Sequence, residues 1–120
     1  MAMEFGIEDR QVDDGTHVVA VANEIDLFTA PEFKQRVSAP IDAGRTRLIV
    51  DLTETTFIDS SSLGVLIGAH RRLRRLNGSL AIVVSSEAIL KTFRITGLDG
   101  VFTLVPTLDE ALDGDAVGAG

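Results

Sequence analysis

Apolar positions along this chain recur at two spacings. Thr16-His17-Val18-Val19-Ala20-Val21-Ala22 is rich in β-branched residues, and Phe5 to Asp9 before it alternates weakly, so both segments predict strands. Asp13-Asp14-Gly15 between them is a turn sequence of the kind that closes a hairpin. After Asn23-Glu24-Ile25-Asp26-Leu27, the run Thr29-Ala30-Pro31-Glu32 predicts a helix start, with a capping hydroxyl, an early proline and an acidic residue at the positive end of the dipole. Phe33, Val37 and Ile41 follow at helical spacing, and Gly44 is a stop signal.

The short run Leu48-Ile49-Val50-Asp51-Leu52 predicts a strand buried on both faces, and Leu80-Ala81-Ile82-Val83-Val84 predicts a second. Between them a short loop is expected through Phe57 and Ile58. A helix then runs from Asp59-Ser60-Ser61-Ser62 through Leu63, Val65, Leu66, Ile67, Leu73 and Leu76, ended by Asn77-Gly78. Ser86 to Ile95 predicts a helix with Ile89, Leu90 and Phe93 inward, closed by Gly97. Val101 to Val105 is expected as a last strand, and Thr107 opens a last helix through Leu108, Ala111 and Leu112. The order ββαβαβαβα implies an α/β fold, a mixed sheet with helices packed on it. No internal repeat or long linker divides the chain. The expected organisation is one domain over residues 1–113 and a flexible tail over 114–120.

Composition narrows the partners. The chain has 120 residues, 45% of them hydrophobic, enough for one core without a metal or disulfide. It has no cysteine, which removes disulfides, thiolate metal sites and a cysteine nucleophile. The net charge of −7 disfavours direct binding of nucleic acid, whose affinity comes from clustered Lys and Arg. No apolar run approaches the roughly 18 residues of a membrane span, and no secretory signal is visible, so a cytoplasmic protein without a membrane role is expected.

The chemistry concentrates where a buried strand gives way to a helix opening among three serines. Backbone N–H groups in such a first turn lack partners, and the dipole favours an anion there. Capping by Asp59 or a serine accounts for the same residues without any function. Elsewhere, Gly64 and Gly68 share a helical spacing that lets a soluble helix approach its sheet closely. Arg71, Arg72, Arg74 and Arg75 beside His70 read as a solvated helix end whose cations complement the dipole. His17 and His70 lie on different elements and offer no metal site. No nucleophile elbow, Walker loop or triad is present, so neither an enzyme nor a cofactor is expected.

Phe57-Ile58-Asp59-Ser60-Ser61-Ser62-Leu63-Gly64-Val65-Leu66 resembles the phosphorylation motif of anti-sigma factor antagonists with the STAS fold. Glu24-Ile25-Asp26 with Thr29-Ala30 is similar to the signature after that family's second strand. Ile89 to Leu98 and Val101-Phe102 resemble its third-helix region. The matching segments keep family order from about Glu4 to Leu112. The resemblance implies that Ser61 is the phosphate acceptor, and that Asp26, Asp59, Ser60, Ser62, Leu63 and Gly64 face the partner. Ser62 stands where the family usually has glycine, and adds a hydroxyl and a small side chain on the surface a kinase would approach.

The same resemblance implies a partner-switching cycle. The unphosphorylated form binds an anti-sigma factor that is also a serine kinase, a sigma factor is released, phosphorylation ends binding, and a serine phosphatase restores it. The alternative from the same fold is a scaffold or accessory subunit in a stress-signalling or lipid-transport complex. Nucleotide binding is a further candidate, against which the absence of a glycine-rich phosphate loop argues.

Overall fold

The computed structural model of the chain describes residues 6–118. Strands β1 (Gly6–Gln11) and β2 (Thr16–Ile25) form an antiparallel hairpin in which Gly6 faces Ala22 and Gln11 faces His17. Asp13 closes its turn, Oδ1 accepting from the amides of Gly15 (2.9 Å) and Thr16 (2.8 Å). Hydrogen bonding from Gly15, then Thr16, also holds the Asp13 carboxyl below its ordinary value. Phe5, expected to begin the first strand, lies outside the described residues.

Helix α1 spans Ala30–Asp42 and buries Phe33, Val37 and Ile41, the spacing read from the sequence. Strand β3 (Arg47–Asp51) is buried on both faces, Leu48, Ile49 and Val50 being at most 1% exposed. The loop expected through Phe57 and Ile58 is instead strand β4 (Thr55–Ile58). Helices α2 (Ser60–Arg75) and α3 (Glu87–Ile95) flank β5 (Ser79–Val83) in the chain. A 3₁₀ turn (Leu98–Gly100) precedes β6 (Thr103–Val105), and α4 spans Leu108–Gly118. Of the segment 114–120 expected as a tail, residues 119 and 120 lie outside the described residues.

The six-stranded sheet has the order β1-β2-β3-β5-β6, parallel apart from the leading hairpin, with β4 off this path. Its topology turns on the length of β2. The first half, Thr16 to Ala20, pairs with β3, while Asn23, Glu24 and Ile25 pair with β4. The register shifts between Asn23 and Glu24, where Asn23 takes a left-handed φ of 72°. Thr55, buried, donates its hydroxyl to the Val21 carbonyl (2.8 Å), and the Asn23 amide donates to Glu54 O (2.9 Å). So short a strand with only its end residues buried carries no readable alternation.

The core divides across the sheet. Val19, Val21, Leu48, Val50 and Ile82 meet α1, α2 and α3 on one face, with Phe33 and Phe93 both fully buried. Val18, Ile49 and Val83 meet Ala111 of α4 on the other. Thr107 caps α4, its Oγ1 accepting from the Glu110 amide (3.1 Å).

Helix α2 ends in a Schellman motif. Asn77 is left-handed (φ 57°), its amide donates to Arg74 O (3.1 Å), and the Gly78 amide donates to Leu73 O (2.7 Å). A Cβ on Gly78 would stand 2.2 Å from the Thr46 carbonyl oxygen, so only glycine lets β5 start alongside β3 here. Gly78→Ala is therefore expected to destabilise the fold by about 1–3 kcal/mol, read from the urea midpoint.

The two histidines set a pH dependence. Burial pushes the His17 imidazole below its ordinary value against the pull of Asp9, and Arg45 and Arg36 act in the same direction as burial. Burial, then Arg74, lowers His70 likewise. Folded-state values below the unfolded 6.5 mean that the unfolded chain binds these protons more readily. This stability is present above about pH 6.5 and is lost as the pH falls below it. The urea midpoint is expected to drop between about pH 7.5 and 5.5, and to drop less in a His17→Gln, His70→Gln double variant.

Candidate functional site

The candidate site is built where β4 ends and α2 begins. Asp59, in extended backbone, is the N-cap of α2, and its Oδ1 accepts from the Ser62 amide (3.1 Å). The Ser62 hydroxyl lies 2.9 Å from the Ile25 carbonyl and 3.1 Å from Asp59 Oδ1. That hydroxyl links the end of β2 to the start of α2. The amides of Ser60 and Ser61 have no acceptor among the described residues, as expected for the first positions of a helix.

The three serines consequently differ. Ser60 is exposed, Ser61 is half-buried, and neither hydroxyl has a hydrogen-bond partner among the described residues. Ser62 is 0% exposed. Its expected place on the approachable surface is therefore corrected: the side chain turns inward because a buried carbonyl and the capping carboxylate receive its hydroxyl. Leu63, expected as an apolar contact for a partner, is 8% exposed and belongs to the core. Its position on the inward stripe of α2, with Leu66 and Leu73, accounts for that. Gly64 is exposed.

Asp26 sits in the neighbouring loop between β2 and α1, and its carboxylate organises that loop. Oδ1 accepts from the amides of Phe28 (2.9 Å) and Thr29 (3.1 Å), while Thr29 Oγ1 accepts from the Asp26 amide (2.8 Å). Thr29 is the N-cap residue of α1, yet its side chain makes no capping bond, because it is turned back onto Asp26. Since Ser62 holds Ile25 and Ile25 precedes Asp26, the two loops share one anchor.

This turn lifts two apolar side chains into solvent, Leu27 at 68% and Phe28 at 88% exposed, and Phe57 on β4 is 47% exposed. Reading the sequence overlooked them as surface features. A signal existed: Leu27 and Phe28 are consecutive large apolar residues between a strand and a helix cap, serving neither periodicity. Gly64 and Gly68 also depart from expectation. Both are exposed on α2 with nothing within 4 Å of an added Cβ, so they do not ease packing onto the sheet.

The arrangement offers unpaired amides, unpaired hydroxyls and an apolar rim, with no group of metal-binding side chains among the described residues. No helix among the described residues is long and apolar enough to cross a membrane.

Comparison with known proteins agrees with this geometry. The model of the STAS domain matches residues 9–111. The anti-sigma-B factor antagonist of Listeria monocytogenes is 33% identical over 102 residues, 85% of this chain and 90% of that one. The crystal structure of an anti-sigma factor antagonist from Mycobacterium paratuberculosis superposes with a TM-score of 0.84 at 32% identity, covering 92% of this chain and 93% of that one. The Bacillus cell fate determinant SpoIIAA in its phosphorylated form superposes with a TM-score of 0.71 at 28% identity, covering 92% and 97%.

The Ser62 anchor predicts that Ser62→Ala costs about 1–2 kcal/mol, measured by urea unfolding.

Proposed function

The chain belongs to the STAS domain family, and on that premise we propose that it is an anti-sigma factor antagonist whose binding is switched by phosphorylation of Ser61. Unphosphorylated, it binds an anti-sigma factor that is also a serine kinase, so that a sigma factor goes free. The kinase then transfers the γ-phosphoryl group of ATP to the Ser61 oxygen, ADP and the hydroxyl proton leave, and binding ends. A serine phosphatase hydrolyses the phosphoserine with water, releasing inorganic phosphate and restoring the Ser61 hydroxyl. The protein is the substrate of this chemistry and contributes no catalysis, and the cycle runs in the cytoplasm without membrane or nucleic acid.

One observation carries the assignment. Among three consecutive serines at the start of α2, Ser62 is locked inside, while Ser61 is half-buried and its hydroxyl has no hydrogen-bond partner among the described residues. Ser60 shares that freedom, and its position in the matching motif argues for Ser61 over it. A relative of 28% identity is known in a phosphorylated form, which supports the same reading.

The physics of the switch follows from the surroundings. A phosphoserine adds about −1.5 to −2 charges and three acceptor oxygens. At the first turn of α2 it meets the positive end of the dipole and unpaired amides, worth about 0.3–1 kcal/mol in its favour. The domain therefore keeps its fold. Asp59 stays committed to its cap, so two negative groups crowd one small surface, and a partner packed against Ser61, Leu27 and Phe28 is driven off. Each 1.4 kcal/mol lost is about tenfold in affinity.

Ser61→Ala is expected to bind the kinase persistently and to resist phosphorylation, and Ser61→Glu to bind at least about tenfold more weakly with an unchanged thermal midpoint. Titration calorimetry reads the affinities, and mass spectrometry locates the phosphate. Equal affinities, or modification at Ser60 instead, would refute the assignment. Phe28→Ala is expected to weaken binding by about tenfold or more with no loss of stability, since its ring contributes nothing to the core.

A further inference from the structure

The exposed stripe of α2 runs from the phosphorylation site into a cationic groove. Ser61, Gly64, Gly68, Arg71 or Arg72, and Arg75 recur three or four residues apart and so lie on one face, roughly 21 Å long. Beside them α1 contributes Lys34, and the groove between the two helices is lined by Lys34, Gly64, Gly68, Arg71, Arg72 and Arg75. The structure thus draws together cations that in the sequence looked like a solvated helix end.

Within the groove Arg72 is neutralised by an ion pair with Asp42 of α1. Lys34, Arg71 and Arg75 have no ion-pair partner among the described residues. Three uncompensated cations in one groove stand out on a chain of net charge −7, whose other surfaces carry the acidic excess. Arg36, by contrast, is paired with Asp9 and Glu32, and Arg94 with Glu87.

The floor of the groove is equally specific. Glycine in a helix interior is unfavourable, and alanine or a longer helix former would be better at both places. No atom of the described residues explains the glycines, since a Cβ on Gly64 or Gly68 would meet nothing within 4 Å. The space above them is open to a second backbone, and small residues one turn apart let a helix approach closely.

We propose that the α1–α2 groove docks an acidic α-helix of the same anti-sigma partner that engages Ser61. This rests on the partner-switching reading and extends it to the chemistry of the partner's contact. A helix fits a trough between two helices, its carboxylates meet Arg71, Arg75 and Lys34, and its small-residue face crosses Gly68. Nucleic acid and anionic lipid are the poorer occupants, because Asp42 neutralises Arg72 and the three cations left are few for a phosphate backbone or a headgroup surface. The groove also explains the reach of the switch. A dianion at Ser61 stands at one end of the stripe and repels the near end of the helix that the arginines attract, across about one Debye length.

The test uses the full chain and the anti-sigma kinase retained by Ser61→Ala. Arg71→Glu with Arg75→Glu is expected to weaken binding by about thirtyfold and to flatten the dependence of Kd on salt. Arg10→Glu with Arg94→Glu, of identical net charge but away from the groove, is expected to change Kd by less than about threefold. Gly68→Gln is expected to keep or raise the thermal midpoint while weakening binding by about tenfold. If the groove variants bind like wild type while Ser61→Ala and Ser61→Glu still differ, the groove proposal falls and the switch stands. If the two Ser61 variants bind alike, both fall. Binding of phosphatidylglycerol vesicles or duplex DNA at about 0.15 M salt that the double reversal abolishes would assign the groove to another ligand and overturn the proposal.

Discussion

One buried hydroxyl governs the geometry of the site. Ser62 Oγ sits between the Ile25 carbonyl and the Asp59 carboxylate, and so fastens a helix start to the end of the longest strand. With that link made, Asp59 caps α2, Asp26 is placed to fold the adjacent loop, and Leu27 and Phe28 are held outward. A hydroxyl buried without a partner would be costly, whereas one with two acceptors in reach is an ordering device. It also separates roles among identical neighbours. The same residue type is buried and bonded at position 62, and half-buried without a hydrogen-bond partner among the described residues one residue earlier.

Much of the fold could be read from residue order, because the strongest signals are local. Phe33, Val37 and Ile41 recur at helical spacing, and Leu48-Ile49-Val50 is a short apolar run whose length and β-branched residues favour a strand covered on both sides. Strand β4 escaped notice because its existence depends on β2 being long enough to pair twice, a fact of tertiary structure. The place of the site was legible through a motif, yet the orientations within it were not. A hydroxyl at a helix start ordinarily faces water, and only the approach of Ile25 O turns Ser62 inward. Leu63 was misjudged for a related reason, since the α2 stripe that packs on the sheet begins within the motif itself. Leu27 and Phe28 showed the opposite error, apolar residues that the Asp26 turn holds in solvent.

Stability and switching draw on different parts of the molecule. The core residues lie beneath the helices on either face of the sheet, and Ser61 is not among them. The features on which the proposed docking rests are ones the packing does not need: an exposed ring on a carboxylate-braced turn, a hydroxyl at a helix mouth, and glycines where helix propensity would prefer alanine. Charge added or removed at such places changes what can approach the surface and leaves the packing beneath as it was.

The kink at Asn23 has a structural meaning. Its left-handed backbone interrupts β2 between the half paired with β3 and the half paired with β4. The two halves thus serve different partners: Thr16 to Ala20 pairs inside the main sheet, and the outer half leads to Ile25, the Asp26 turn and the mouth of α2. An arriving protein that touches the Asp26 turn or the mouth of α2 therefore meets backbone held by β4 and by the Ser62 hydroxyl, with no ladder bond to β3.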